Sequence, residues 1–290
     1  MKTKTVVGLG EVLWDVFPEG KKLGGAPANF AYHAAQLGLD GIVVSAIGND
    51  ELGDEIVACF EDKGLPHMLE NSSCPTGTVQ VSVNERGVPK YTIEEGVAWD
   101  NILYNETLKA LANRTDCICF GSLAQRNSVS RDTIEQFLND MPAGSYKVFD
   151  INLRQHFYTK AQIEKSFFLS NIIKINNDDE LDKVCNMFSI AGTPIQQCRT
   201  LLATYGWKML ILTCGEMGSY VVTPDDVSFL ETPRVKVVDT VGAGDSFTAA
   251  FCTLLLKGES IGEAHRRAVD VSAYVCTQAG AMPVLPNYLK

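Results

Sequence analysis

The segment at 239–245 reads DTVGAGD, and its residue types suit binding an anion and removing a proton from an alcohol. The apolar run that follows predicts a helix with Asp245 in its first turn. Main-chain N–H groups at a helix start carry partial positive charge, and Gly242 and Gly244 let a ligand approach closely. Phosphoryl transfer to a hydroxyl needs such donors beside a base, which Asp245 would supply. A simple turn with an N-terminal helix charge is the alternative interpretation.

Further glycines and polar side chains lie near the ends of predicted strands, at 10–15 (GEVLWD), 24–29 (GGAPAN) and 150–154 (DINLR). Ligands of open α/β sheets bind outside the carboxyl ends of the strands. Asp15, expected at the end of the first strand, could accept two hydroxyl hydrogen bonds, and Arg154 could bridge a substrate and a phosphoryl group. The alternatives are a surface turn at Asp15, an ordinary helix start at 24–29 and an exposed arginine at 154.

Three later segments carry glycines or polar residues, at 174–180 (KINNDDE), 213–218 (TCGEMG) and 276–283 (CTQAGAMP). The glycines of 213–218 would let a nucleotide lie against the main chain. An Asn with an acid three residues later is also a common helix cap, and the glycines also fit plain turns. The sequence has no GxxxxGK[ST] loop, and Leu13 replaces the third glycine of a GxGxxG pattern, so P-loop and Rossmann sites are not indicated.

Apolar, β-branched runs alternate with helical patterns, which indicates an α/β fold with a doubly wound, mainly parallel sheet and helices on both faces. The predicted strands are 5–10, 42–47, 117–120, 147–151, 172–175 and 209–213. The predicted helices include 28–37, 53–63, 131–139, 179–188 and 195–205. A hairpin is predicted from 219–223 and 227–231.

Residues 12–23 and 74–99 depart from this alternation. In the second segment, 78–83 and 90–94 alternate polar and apolar residues around a turn at 84–87, and the first segment reads as a hairpin around its central Pro-Glu-Gly. A lone two-stranded ribbon is only marginally stable. The two hairpins therefore predict a small β-sheet lid inserted into a single domain of residues 1–290, and the alternative is a pair of solvated surface ribbons.

The composition indicates a globular protein, with 290 residues, 46% of them hydrophobic and 21% charged. A net charge of −10 argues against nucleic acid and anionic membranes as partners. No signal peptide or membrane span is evident, and nine scattered cysteines suggest reduced thiols, so a cytoplasmic protein is expected. The four histidines lack zinc-site spacing and are interpreted as structural.

The segments resemble, in order from Gly10 to Pro283, those of the ribokinase-like (PfkB) carbohydrate kinases. DTVGAGD matches the C-terminal signature of that family throughout. The resemblance implies a ribokinase-like fold with a sugar as acceptor and with ATP and Mg²⁺ as cofactors. It also implies that Asp245 is the catalytic base, that the main chain of Gly242, Ala243 and Gly244 forms an anion hole, and that Arg154 assists.

The same resemblance implies the remaining site residues. The sugar-binding residues would be Asp15, Gly24, Gly25, Asn29, Arg154 and Asp245. The nucleotide-binding residues would be Asn177, Thr213, Gly215, Gly218, Gly242, Gly244 and Gly280. Glu180 would hold Mg²⁺ through water, and Asp239 would bind a monovalent cation such as K⁺. Two registers fit the Asn-x-x-acid pattern, and Asn177 with Glu180 is favoured over Asn176 with Asp179.

Likeness to the fructokinase branch, in GEVLWD, in AWD at 98–100 and in CTQAGA at 276–281, predicts D-fructose as acceptor and fructose 6-phosphate as product. Ribose, 2-keto-3-deoxygluconate and nucleosides are alternative acceptors. A catalytically silent nucleotide-binding member and, less compatible with the missing fingerprint, a Rossmann dehydrogenase are further alternatives. Exposed strand edges in the lid predict a homodimer.

Overall fold

The structure is a computed structural model that describes residues 3–18, 20–83 and 89–290. Its strands are β1 (Thr5–Leu9), β2 (Leu13–Phe17), β3 (Gly20–Gly24), β4 (Asp40–Gly48), β5 (His67–Ser72), β6 (Gly77–Val83), β7 (Pro89–Ile93), β8 (Cys117–Phe120), β9 (Tyr146–Asp150), β10 (Ile172–Asn176), β11 (Met209–Thr213), β12 (Ser219–Val222) and β13 (Val227–Leu230). Its α-helices are α1 (Ala26–Gln36), α2 (Glu51–Asp62), α3 (Glu106–Ala112), α4 (Ser128–Asp140), α5 (Lys160–Leu169), α6 (Glu180–Phe188), α7 (Pro194–Tyr205), α8 (Ala243–Leu256) and α9 (Ile261–Cys276). Short 3-10 helices lie at Ala98–Asn101, Leu123–Gln125, Gly215–Met217 and Asn287–Leu289.

Nine strands of the described chain form one large sheet in the order β13-β12-β11-β10-β9-β8-β1-β4-β5. The strands from β11 to β5 are parallel, and β12 and β13 form an antiparallel hairpin at one edge. The chain begins in the middle at β1, builds outwards to β5 and then returns to the other side of β1 with β8. The prediction of a doubly wound, mainly parallel sheet with a hairpin at 219–231 is therefore confirmed.

Both faces of the large sheet are buried, which explains why its strands read as continuous apolar runs. Val6 and Val148 pack on one face with apolar residues of α1, α8 and α9. Val7 and Phe149, their neighbours in sequence, pack on the other face with apolar residues of α3 to α7. Successive side chains of a strand point to opposite faces, so two neighbouring apolar residues contribute to the two different cores.

Helix α1 lies directly on the main chain of β1 and β4. A Cβ atom on Gly8 would lie 1.9 Å from the carbonyl oxygen of Pro27, and one on Gly41 would lie 2.3 Å from that of Ala31. Only glycine permits this approach. The start of α1, which contains Asn29, is thereby held at the carboxyl end of β1.

The predicted helices are present, and capping side chains set their ends. Asp50 caps α2 by accepting from the N–H of Gly53, and Asn127 caps α4 by accepting from that of Val129. The sequence analysis did not single out β5 as a strand. Most residues of this edge strand are only partly buried, so its sequence lacks the strong apolar signal of the central strands.

A second, four-stranded sheet has the order β3-β2-β6-β7. Its two antiparallel pairs, β2 with β3 and β6 with β7, are the hairpins predicted at 12–23 and 74–99, and a parallel pairing of β2 with β6 joins them. The predicted turn at 84–87 lies outside the described residues. The function of this small sheet as a lid stays a prediction.

Two further properties concern the described residues as a whole. No helix within 3–18, 20–83 and 89–290 is long and apolar enough to cross a membrane. The nine cysteines all lie in these ranges and are free thiols. Burial raises the pKa of the Cys117 and Cys119 thiols well above the usual range, so both stay protonated at neutral pH.

Replacement of Phe149 by alanine is expected to destabilise the fold by about 3–5 kcal/mol, because the side chain is fully buried in the core. Its ring stacks on Phe120 at a centroid distance of 5.2 Å and meets Phe167 edge-on at 6.0 Å. Urea unfolding monitored by circular dichroism would measure the loss. The matched control is Phe168→Ala, whose side chain is 69% exposed and whose loss should stay near 0.5 kcal/mol. Equal losses in the two variants would contradict this assignment of the core.

Candidate active site

The carboxyl ends of several parallel strands meet where the order of the large sheet reverses. β1 lies between β4 and β8, and the chain continues from these strands towards opposite edges. Ligands of open α/β sheets bind at such switch points. Glu11 follows β1, Asp150 ends β9 and Asn176 ends β10, so polar side chains gather at this edge of the sheet.

The DTVGAGD segment forms the start of α8, as predicted. Gly242 precedes the helix with φ 78°, and a Cβ atom there would lie 2.6 Å from the Cβ atom of Ala281, so glycine is required. The N–H of Ala243 makes a long hydrogen bond to the carbonyl of Thr240 at 3.3 Å, whereas the N–H groups of Gly244 and Asp245 have no main-chain partner among the described residues. The first N–H groups of a helix lack the carbonyl partners of its interior, and the helix dipole makes this end positive. The turn can therefore receive an anion.

Asp245 lies in the first turn of α8 and is partly buried. Its Oδ2 accepts a hydrogen bond from Asn29 Nδ2 at 2.7 Å. Burial raises the pKa of Asp245 to about 6 and the charge of Asp150 raises it too, whereas Asn29, Lys174 and Arg154 act in the opposite direction. A carboxyl group of this pKa is ionised at neutral pH and still basic enough to accept a proton in a reaction.

The glycines before α1 allow the helix to start against the segment that follows β1. Gly25 has φ 123°, and a Cβ atom on it would lie 2.4 Å from the carbonyl oxygen of Glu11. A Cβ atom on Gly24 would lie 2.7 Å from Asp15 Oδ2. Asn29 is 2% exposed, and its Oδ1 has no hydrogen-bond partner among the described residues. Gly24 therefore lets the chain pass close to the carboxyl group of Asp15, and Gly25 lets α1 start against the main chain of Glu11.

The expectation that Asp15 ends the first strand was wrong. The chain leaves β1 at Gly10, which has φ 152°, and Asp15 lies in the middle of β2 in the small sheet, opposite Lys22 of β3. Burial raises the pKa of Asp15, while the charges of Arg154 and Lys22 lower it. Asp15 thus brings a carboxyl group of the small sheet to the edge of the large sheet.

Arg154 is exposed in the loop after β9, where Asn152 and Gln155 have left-handed φ angles of 45° and 48°. Its charge lowers the pKa values of Asp15 and Asp245. In the part of the chain that the structure describes, its guanidinium group contacts only the neighbouring carbonyl oxygen of Leu153, at 3.2 Å, and no carboxylate within 4.0 Å. This cation therefore stays available to an anionic ligand.

Three charged residues at this edge were given no role from the sequence. Glu11 is 2% exposed, and burial raises its pKa to about 7, with Asp245 adding to the effect. Lys174 Nζ forms a buried ion pair with Asp150 Oδ1 at 3.0 Å. The available signal was a charged residue inside an otherwise apolar strand, since Lys174 lies between isoleucines.

Four of the seven residues predicted to bind a nucleotide lie around the ends of β10 and β11, namely Asn177, Thr213, Gly215 and Gly218. Gly242 and Gly244 lie at the start of α8, and Gly280 follows α9. The N–H of Asn177 donates to the carbonyl of Thr213 at 2.8 Å and joins these two ends. Gly215 has φ 54° and Gly218 has φ 130°. A Cβ atom on Gly218 would lie 2.3 Å from the carbonyl oxygen of Leu230, so this glycine lets the loop pack on β13.

Glu180 and Asp179 differ in burial, which bears on the two registers predicted for the Asn-x-x-acid pattern. Glu180 is 2% exposed, and its oxygens accept from the N–H groups of Leu153 at 2.9 Å and Asn176 at 3.0 Å. Asp179 is exposed and pairs with Lys183. Glu180 is therefore the acid that belongs to this edge, and its part in holding Mg²⁺ stays a prediction.

Asp239 connects three segments, through contacts with donors only. Its carboxylate accepts from the N–H groups of Val241 and Gly280 and from Lys22 Nζ, each at 3.1 Å. Burial alone would raise the pKa of Asp239, but these donors hold it below its usual value. The contact with Lys22 ties the small sheet to the turn before α8. Binding of a monovalent cation by Asp239 stays a prediction.

Comparison with known proteins matches residues 9–287 to the pfkB family carbohydrate kinases. The chain is 26% identical over 272 residues to the ATP-dependent 6-phosphofructokinase of Thermoanaerobacterium thermosaccharolyticum, covering 92% of this chain and 83% of that protein. It is 28% identical over 314 residues to probable fructokinase-5 of Arabidopsis thaliana, covering 98% and 95%.

A solved structure shows the same fold. The fructokinase from Xylella fastidiosa with bound ATP has a TM-score of 0.87 to this chain at 21% sequence identity, covering 98% of this chain and 96% of that one. The family match extends from the end of β1 to the last 3-10 helix and includes each motif described above. The chain belongs to the pfkB family of carbohydrate kinases and is a phosphotransferase whose acceptor is an alcohol group.

Proposed function

We propose that this protein transfers the γ-phosphoryl group of ATP to a primary hydroxyl of a ketose, with D-fructose as acceptor and fructose 6-phosphate as product. The observation that carries the proposal is the position of Asp245. Its carboxyl group is partly buried in the first turn of α8, with a pKa of about 6 and a 2.7 Å hydrogen bond from Asn29. The base and the main-chain donors of the same turn are then neighbours.

In the proposed reaction Asp245 accepts the proton of the sugar hydroxyl as that oxygen attacks the γ-phosphorus. The bond from the γ-phosphorus to the oxygen bridging the β- and γ-phosphates breaks, and ADP leaves. The N–H groups of the turn at 242–244 stabilise the charge on the phosphoryl oxygens. Arg154 supports them, since its exposed guanidinium group is not held by a carboxylate of the described chain.

Asp15, Asn29 and the adjacent Gly24 and Gly25 are proposed to bind the sugar. An ionised carboxylate and an amide together offer acceptors and donors to several hydroxyl groups. On the small sheet, Lys21 pairs with Glu55 and Lys22 pairs with Asp239. Neither of these two lysines is therefore left unpaired to hold a phosphate group on the sugar.

ATP is proposed to lie along the ends of β10 and β11, against the nucleotide-side residues Asn177, Thr213, Gly215, Gly218 and Gly280. The described residues contain no group of three or more His, Cys, Asp or Glu side chains that could hold a metal ion alone. Mg²⁺ fits as an ion that arrives with the phosphates and meets Glu180 through water, because both oxygens of Glu180 already accept N–H bonds. When bound, Mg²⁺ neutralises phosphate charge.

The small sheet is proposed to act as a lid that limits access of water, which would otherwise compete as acceptor. The contact of Lys22 with Asp239 supports this, because it holds β3 against the turn that begins α8. Binding of a monovalent cation such as K⁺ at Asp239 is a separate proposal and would compete with this contact, because Lys22 already pairs with the carboxylate.

Asp245→Asn is expected to lower kcat about 10²–10⁴-fold, because the amide cannot accept the hydroxyl proton. The affinity for ATP should be largely kept, since the main-chain donors are unchanged. Coupled measurement of ADP formation gives kcat, and calorimetry gives the nucleotide affinity. The matched control is Asp132→Asn, which alters an exposed carboxylate on α4 and should keep normal turnover. Near-normal turnover of Asp245→Asn would refute the assigned base.

Among sugars tested with ATP and Mg²⁺, D-fructose is expected to give the highest kcat/KM, and NMR of the product should show phosphate on carbon 6. Fructose 6-phosphate, ribose, 2-keto-3-deoxygluconate and adenosine form the comparison set. A higher kcat/KM for any of these would replace fructose as the acceptor while keeping the kinase assignment. Absence of ADP formation with all of them would favour a catalytically silent member.

The small sheet is also proposed to pair two copies of the chain. Its order leaves β3 and β7 as edge strands, and Tyr91 of β7 is 53% exposed. Light scattering at micromolar concentration should give twice the 31.7 kDa mass of one chain. Tyr91→Lys should shift the protein towards the monomer, because two like charges at an edge repel. A monomeric mass for the unmodified protein would contradict the dimer.

A further inference from the structure

Lys174 is a buried cation in the apolar core of β10. Its side chain is 11% exposed, and it lies between two fully buried isoleucines, Ile173 and Ile175. In the parallel pairing of β9 and β10, Lys174 lies in register with Asp150. Its Nζ meets Asp150 Oδ1 at 3.0 Å, and the Asp150 side chain is 5% exposed. Ionised groups are rarely buried so completely unless they pair.

The ammonium group of Lys174 also lies against the turn that begins α8. A Cβ atom on Gly244 would lie 3.0 Å from Lys174 Nζ and 3.5 Å from its Cε. A side chain at 244 would therefore crowd the lysine and require its ammonium group to move by a few tenths of an ångström. The cation occupies the space beneath the turn, one residue before Asp245.

Asp245 experiences charges from several elements. The charged and titratable groups that face it are Glu11 after β1, Cys119 of β8, Asp150 of β9, Arg154 after β9 and Lys174 of β10. Asn29 of α1 adds a neutral hydrogen bond. Cys119 stays a neutral thiol, so the carboxylates are opposed by two cations. Of these, Arg154 is exposed, which leaves Lys174 as the buried one.

An uncompensated charge on Asp150 would act against the proposed reaction in two ways. It would favour the protonated form of Asp245, since like charges in a buried site repel. It would also repel the phosphate groups that the start of α8 would otherwise attract. Both effects are strong because low-dielectric surroundings screen charges poorly.

We propose that Lys174 is a positioning residue for phosphoryl transfer, whose ammonium group neutralises Asp150 beneath the 242–245 turn and so keeps the base ionised and the helix start open to an anion. The inference rests on the proposed kinase function and adds a residue to its machinery. It differs from a purely structural ion pair, because a structural pair would affect stability and leave the pH dependence of catalysis unchanged.

The test compares four proteins: the unmodified chain, Lys174→Met, Asp150→Asn and the double variant. For each, kcat/KM for sugar is measured from about pH 5 to pH 9 with ATP saturating. The base works when deprotonated, so the rate of the unmodified protein should rise through about pH 6. Lys174→Met should shift this increase in kcat/KM to higher pH by at least about one pH unit, with activity recovered at high pH.

Asp150→Asn should move the increase in kcat/KM to lower pH. The double variant should return it close to the pH seen for the unmodified protein, since both charges are then removed together. Each single variant leaves one partner of the buried pair uncompensated, whereas the double variant removes both partners. Glu180, which also interacts with Lys174, keeps its two N–H hydrogen bonds in every variant. Comparison of the double variant with whichever single variant folds therefore decides the matter. The inference would be overturned if kcat/KM of Asp150→Asn increased at the same pH as that of the unmodified protein. It would also be overturned if the loss of kcat/KM in Lys174→Met persisted at high pH.

The two proposals fail in different ways. An unmodified protein that forms no ADP with any sugar would overturn the kinase function and the role of Lys174 with it. An active unmodified protein whose variants all share its pH profile would overturn the role of Lys174 alone.

Discussion

The hydrogen bond from Asn29 to Asp245 joins two helix starts that are 216 residues apart in the chain, and the geometry of the candidate site depends on it. Gly8 and Gly41 fix one of these starts, because they let α1 lie on the main chain of β1 and β4. Gly242 fixes the other by turning the chain into α8. A shift of either helix would separate the carboxylate from its donor. The packing of a few glycines therefore determines where the carboxyl group of Asp245 lies.

The second constraint is the density of charge at one edge of the sheet. Glu11, Asp150 and Asp245 are carboxyl groups that share a poorly solvated region. The charge of Asp150 raises the pKa of both Glu11 and Asp245, and the charge of Asp245 also raises the pKa of Glu11. Two cations offset this repulsion: Lys174, which is buried and paired with Asp150, and Arg154, which is exposed to solvent. The charge at this edge of the sheet therefore depends on the carboxyl groups and the two cations together.

Local signals explain which parts of the structure could be predicted from the sequence. DTVGAGD specifies a helix start through its own glycines, and the central strands are recognisable because burial on both faces demands continuous apolar runs. The pairing of Lys174 with Asp150 depends on the register of two strands, which the sequence does not display. Asp15 was misplaced because the short connection after β1 leads into a second sheet. The half-buried edge strand β5 carries too weak an apolar signal.

The long separation between Asn29 and Asp245 has a consequence for the protein during its synthesis. A ribosome completes β1, α1 and the first strands of the sheet long before it adds the carboxylate, and early segments can begin to fold as they emerge. Until position 245 has emerged, the nascent chain contains Asn29 but lacks Asp245, which accepts its hydrogen bond. Incomplete translation products that stop before α8 therefore lack the proposed base and could not consume ATP by the proposed route.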